Sequence, residues 1–211
     1  MYVSNQDGQP AIFQKNAAGT QPEQLLLKTT GSTVASQVAP DGKFLLYFES
    51  RGTATAPLDI FALPLTGERT PIPLVQTPFV DGEPQVSPDG RWLAYASTET
   101  GRFEVYVQPF PPTGAKWQIS ASGGQQPMWR KDGKELFFVS PDRKFYAVDV
   151  RAGASFDYGT PRFLFDMPSN VAAARNSYVP SADGQRFLVN MLLDTAPSPI
   201  NVVVNWNKEL K

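Results

Sequence analysis

The side chains that could do chemistry in this sequence are carboxylates. The 211-residue chain has 20 Asp and Glu against 19 Lys and Arg, and it has neither His nor Cys. A zinc site of imidazole or thiolate ligands, a Ser-His-Asp triad, a Cys nucleophile and a disulfide framework all need residue types that are absent. Carboxylate, Lys, Ser, Thr or Tyr chemistry remains, or binding alone. Two acids flanking a glycosidic bond at about 5 to 9 Å can cleave it. Asp81 and Glu83, in the loop Thr77–Gln85, are one such pair, and Glu49, Glu99, Glu104, Asp157, Asp166 and Asp194 are the other acids not committed to turns. Asp41, Asp89, Asp132 and Asp183 each precede a glycine and are turn formers first. Calcium would need more clustered oxygens than one such turn supplies, so no metal or cofactor is expected.

Those acids must be positioned by strands. Short runs rich in Val, Ile, Phe, Tyr and Trp recur between Gly, Pro, Asn and Asp, which is the strand signature. They include Phe44–Glu49, Asp59–Leu65, Ile72–Val75, Trp92–Ser97, Glu104–Phe110, Trp117–Ser120, Leu136–Ser140, Phe145–Val150, Phe163–Phe165, Phe187–Met191 and Ile200–Trp206. No stretch keeps a 3.6-residue period for three turns, and the best helical candidate, Asn170–Arg175, is too short to stand alone. The chain reads as all-β.

Spacing identifies the unit. The Asp-Gly pairs at Asp41, Asp89, Asp132 and Asp183 fall at intervals of 48, 43 and 51 residues, each followed by an apolar run. A second column of runs follows at Asp59–Leu63, Glu104–Gln108 and Lys144–Val148, with Ala11–Gln14 as an earlier member. A third column is Gly19, Gly67, Gly114 and Gly153, each followed by one more strand. Pro-Asp-Gly makes a tight reverse turn, because Pro fixes φ and Gly takes a positive φ, and the later glycines predict further hairpins. Four short antiparallel strands per ~45 residues match one blade of a β-propeller. A β-sandwich has no reason to repeat at this interval with the same turn chemistry. The blades are expected at about 1–30 (partial), 31–78, 79–122, 123–168 and 169–211. That is about four and a half blades in a single domain or propeller fragment: either a five-bladed ring closed by both termini or the C-terminal part of a larger propeller. Open edges of this kind invite association, so a homodimer is one expectation.

The elements Ala39-Pro40-Asp41-Gly42-Lys43-Phe44 and Ser87-Pro88-Asp89-Gly90-Arg91-Trp92 resemble the Ser-Pro-Asp-Gly repeat of TolB-type, WD-repeat-like bacterial propellers. Phe103–Phe110, Trp129–Phe137 and the ending Asn205-Trp206 with Leu210-Lys211 are similar to the C-terminal propeller region of bacterial serine/threonine protein kinases. The resemblance covers nearly the whole chain and implies a sensory or scaffolding module in a periplasmic or other extracytoplasmic compartment. Two departures stand out. The last two turns, Arg130-Lys131-Asp132-Gly133 and Ser181-Ala182-Asp183-Gly184, lack Pro, which predicts looser turns, and the first repeat begins in its middle.

The chain itself holds no kinase motif, no G-x-S-x-G elbow and therefore no expected active site of those classes. A net charge of −1 gives no footprint for nucleic acid, and no apolar run suits a membrane span or a signal peptide. The function expected is non-catalytic binding of a protein, peptide or small ligand, with a carboxylate-dependent glycosidase or a peptidase gate domain as the alternative. The candidate ligand-binding residues are Arg51, Asp81, Glu83, Arg102, Gln125, Trp129, Arg175 and Asn176. Most lie in loops expected on one face, and Trp129 is placed at the start of a blade's first strand, with inter-blade packing as its competing role.

Overall fold

A computed structural model describes residues 1–5, 8–50, 56–153, 155–171 and 177–192. The expected strand Ile200–Trp206 and most of the helical candidate Asn170–Arg175 lie outside the described residues. Three complete four-stranded antiparallel sheets follow one another along the chain. The first holds β4 (Thr33–Val38), β5 (Phe44–Ser50), β6 (Leu58–Pro64) and β7 (Ile72–Val75). The second holds β8 (Asp81–Val86), β9 (Trp92–Ser97), β10 (Glu104–Pro109) and β11 (Trp117–Gln118). The third holds β12 (Gln125–Trp129), β13 (Glu135–Val139), β14 (Lys144–Asp149) and β15 (Arg162–Asp166). A three-stranded sheet of β1 (Tyr2–Ser4), β2 (Ala11–Gln14) and β3 (Gln24–Lys28) precedes them, and a hairpin of β16 (Tyr178–Pro180) and β17 (Phe187–Val189) follows. Every helix-free sheet is an up-and-down meander, so the described chain is a partial β-propeller.

The turns explain why each sheet starts as it does. Gly42, Gly90, Gly133 and Gly184 donate N–H to the carbonyls of Ala39, Ser87, Arg130 and Ser181 at 2.8, 2.8, 2.9 and 2.9 Å. All four glycines have φ between 71° and 74°, a region that costs a side chain strain. Each preceding Asp accepts the N–H two residues ahead, at 3.0 to 3.2 Å. The two turns without Pro are therefore as closed as the two with it. At Arg130 the guanidinium grips Asp132 at 2.6 and 2.8 Å, and at Ser181 the hydroxyl donates to Asp183 at 2.5 Å. The Pro-containing turn at Ser87 carries the same hydroxyl-to-Asp89 bond at 2.5 Å, so the Asp and its local donors close the turn whether or not Pro is present. The third column differs: Gly19, Gly67 and Gly114 take positive φ, but Gly153 does not. It sits in a longer connection closed by the bridge Val150↔Tyr158.

The core lies between the sheets. Leu46, Ile60 and Leu74 of the first complete blade pack with Val86, Leu93 and Tyr106 of the second. Trp92, Val105 and Ile119 of the second pack with Trp129, Leu136 and Phe156 of the third. Phe137, Phe145 and Leu164 pack with Tyr178, and Ile12 and Leu26 pack with Tyr47 and Leu63. A single four-stranded sheet could not cover both its faces, and each joint buries side chains worth roughly 1.5–3 kcal/mol apiece.

Candidate functional site

The first strands of the blades lie side by side, and each of the three complete blades has a bulge in that strand. Register shifts fall between Ala35 and Gln37, Gly82 and Gln85, and Gln125 and Met128. In the last two the extra residue takes positive φ, 57° at Glu83 and 55° at Gln126. A bulge re-aims its side chain, and here the aim is the neighbouring blade. The Glu83 carboxylate accepts the Gln126 N–H at 2.6 Å. The Gln126 Oε1 accepts the Ser177 N–H at 2.9 Å and its hydroxyl at 2.6 Å, while the Tyr178 hydroxyl donates to the Gln126 carbonyl at 2.7 Å. One blade earlier, Gln37 Oε1 accepts the Val86 N–H at 2.6 Å and the Ser36 hydroxyl donates to the Pro84 carbonyl at 2.9 Å. Gln126 was not among the residues expected from sequence, although Glu83-Pro84 and Gln126-Pro127 recur 43 residues apart and mark the shared bulge.

Two faces follow from this arrangement. On the crossover face the chain passes from the fourth strand of one blade to the first strand of the next, and the second-to-third strand links lie there too. On the turn face lie the Asp-Gly turns. Asp81 opens β8 on the crossover face and is fully buried. The Thr77 hydroxyl donates to its Oδ2 at 2.5 Å. Burial pushes its carboxyl above the usual range, with the neighbouring Asp59 and Glu99 charges adding to the rise and hydrogen bonds from Ser97 and Thr77 opposing it. Asp81 and Glu83 thus share a strand, but one is sealed from solvent and the other is clasped to Gln126.

Arg102 lies in the β9–β10 link. Its Nε meets Glu104 Oε1 at 2.8 Å and its NH2 donates to the Ala121 carbonyl at 2.8 Å, with the side chain still more than half exposed. Glu104 is wholly buried and also accepts the Gly123 N–H at 2.9 and 3.0 Å and the Ser120 hydroxyl. That carboxylate fixes the crossover from the second blade to the third. Gln125 is half-buried at the start of β12, paired with Val139. Trp129 lies at the other end of β12, beside the Asp132 turn, which corrects its expected position. It is 9% exposed, its indole N–H donates to the Gln85 carbonyl at 3.1 Å, and its ring stands edge-on to Phe156 at 6.4 Å. Arg51, Arg175 and Asn176 lie outside the described residues. Among the described residues no group of three or more acids is placed to hold a metal ion.

A meander of four-stranded blades with bulged first strands laced to one another defines a β-propeller. Comparison with known proteins agrees on the architecture. The chain is 21% identical to TolB from Acinetobacter baumannii over 88% of its length, with a TM-score of 0.66 and 44% of that chain covered. It is 21% identical to a protein assigned as TolB from Agrobacterium tumefaciens over 77% of its length, with a TM-score of 0.62 and 58% of that chain covered. A curated protein of Agrobacterium fabrum, the uncharacterized protein Atu1656, is 29% identical over 160 residues, 71% of this chain and 51% of its own length. No protein-family model matches the chain. The chain spans about half the length of these relatives.

Proposed function

We propose that this chain is a non-catalytic binding propeller, taking a protein, peptide or small ligand on its crossover face, and that it forms the sensory region of a bacterial serine/threonine kinase held outside the cytoplasm. The observation that carries the binding reading is the fate of the acid pair. Asp81 is buried and Glu83 holds a neighbouring backbone N–H, so neither is placed to flank a sugar. A fold of this kind hosts both binders and enzymes, so function must rest on the site. The exposed part of Arg102 and the half-buried Gln125 stand on the crossover face, and the spacing of the sequence repeat is the ground for proposing Arg51, Arg175 and Asn176 as further members of the site.

Two measurements test this. The coding sequence upstream should carry a Gly-rich loop, a His-Arg-Asp and an Asp-Phe-Gly; a hydrolase domain in that place, or none, overturns the kinase assignment. The purified chain should not turn over nitrophenyl glycosides. A turnover abolished by Asp81→Asn or Glu83→Gln would replace the binding reading with the glycosidase.

A further inference from the structure

We propose a second ligand site on the turn face, in the cleft between the second and third complete blades, that takes a small aromatic carboxylate. It lies on the face opposite to the one assigned above, so either site can fail without the other. The cleft measures about 510 Å³, within the roughly 300–1,000 Å³ of small-molecule sites. Trp92, Trp129, Val150 and Ala152 give it an apolar floor, and Lys134 and Arg151 stand on its rim. Beneath the floor the aromatic layer continues, with Phe156 at 5.0 Å from Trp92 and 5.3 Å from Trp117. The far wall is held in place by Arg91, which crosses from the β8–β9 turn to donate to the Gly153 carbonyl at 2.8 Å and the Ala152 carbonyl at 3.4 Å. The wall is therefore built rather than collapsed.

Charge decides the class of guest. The two acids at the cleft are already answered by their own blades. Asp89 accepts from Arg91 Nε at 2.8 Å and from the Ser87 hydroxyl at 2.5 Å, and Asp132 accepts from Arg130 at 2.6 and 2.8 Å. On the cationic side, the Lys134 ammonium acts on Asp132 only through space and makes no hydrogen bond or close ion pair among the described residues, and Arg151 makes a single side-chain bond, Nε to Asp157 at 3.0 Å, with the side chain largely exposed. An anion thus finds unengaged donors, whereas a cation finds only occupied carboxylates. The floor itself is apolar, with the Trp92 indole N–H turned into the protein and away from solvent. An aromatic ring on the floor with its carboxylate toward Lys134 and Arg151 matches both the surface and the charge, and the cleft is open enough to admit one such molecule.

The probe is N-acetyl-L-phenylalanine, with N-acetyl-L-phenylalaninamide as its uncharged twin, titrated into the intact ¹⁵N-labelled chain while the indole N–H signals are followed. The acid should move the Trp92 and Trp129 signals saturably, and the amide should bind more weakly. Lys134→Ala and Arg151→Ala, both at exposed positions, should each weaken the acid by about two- to five-fold, the worth of an exposed ion pair, with no change for the amide. Equal binding of acid and amide, shifts that do not saturate, or affinity indifferent to both substitutions would each overturn the site.

Discussion

Carboxylates gather at both ends of the blades, and the two ends use them differently. On the turn face Asp89 and Asp132 are partly exposed and bonded by their own neighbours, Arg91 and Arg130. The Arg130 guanidinium is the main cause that holds Asp132 down to about 2. On the crossover face Asp81 and Glu104 are sealed from water. Glu104 there gathers donors from a crossover segment, and Asp81 is pushed up chiefly by burial. An exposed acid shapes one turn and is replaceable; a buried one joins two parts of the chain and leaves unanswered donors when removed.

The sharpest break of that contrast is Glu104→Ala. It strands the Gly123 N–H and the Ser120 hydroxyl in a dry site and unties Arg102. The cost should be about 2–4 kcal/mol, a fall in Tm of roughly 5–12 °C at this chain length. Thermal unfolding followed by circular dichroism measures it, and a Tm within a degree or two of the parent would show that the crossover does not depend on this carboxylate.

Gly90→Ala probes the turn face. Open space surrounds the added Cβ, so its effect comes from the backbone alone, at φ +74°. About 1 kcal/mol is expected. A larger loss would mean that the turn is coupled to the Trp92 cleft rather than local.

These outcomes bear on how far the sequence reaches. The blade pattern was legible because turn chemistry is local: Asp-Gly at Asp41, Asp89, Asp132 and Asp183 needs only its own neighbours, and all four form the same turn with or without Pro. The candidate site was less legible because its side chains answer to partners about 43 to 51 residues away. Glu83 reads as a loop acid, yet its partner is the Gln126 N–H in the next blade. Trp129 reads as the start of a strand, yet it is the last residue of β12 and so lies at the opposite face, where its N–H meets Gln85. Lys134 and Arg151 have no signature at all, because they line a cleft only once two blades are packed.

The contrast can be drawn most finely with pH, using Asp81→Asn and Asp132→Asn. For Asp81 the folded state holds its proton more tightly than the unfolded chain, whose carboxyl keeps the ordinary value of 3.8. Stability from this group therefore declines as pH rises above 3.8 and levels off once the folded group has ionised. Asp81→Asn should match the parent in acid and gain on it toward neutrality, by up to about 1 kcal/mol, with the Thr77 hydroxyl donating to the amide oxygen instead.

Asp132 has the opposite sign. Its folded value of about 2 lies below 3.8, so its contribution is complete above 3.8 and is lost as pH falls from 3.8 toward 2. The group is nearly half exposed, and solvent screening keeps its worth to a few tenths of a kcal/mol. Asp132→Asn should run slightly below the parent at neutral pH and meet it near pH 2. Urea unfolding at stepped pH separates the two, because one difference opens upward from pH 4 and the other closes downward from it. Curves that rise and fall together would mean that burial does not distinguish the two ends of the blades.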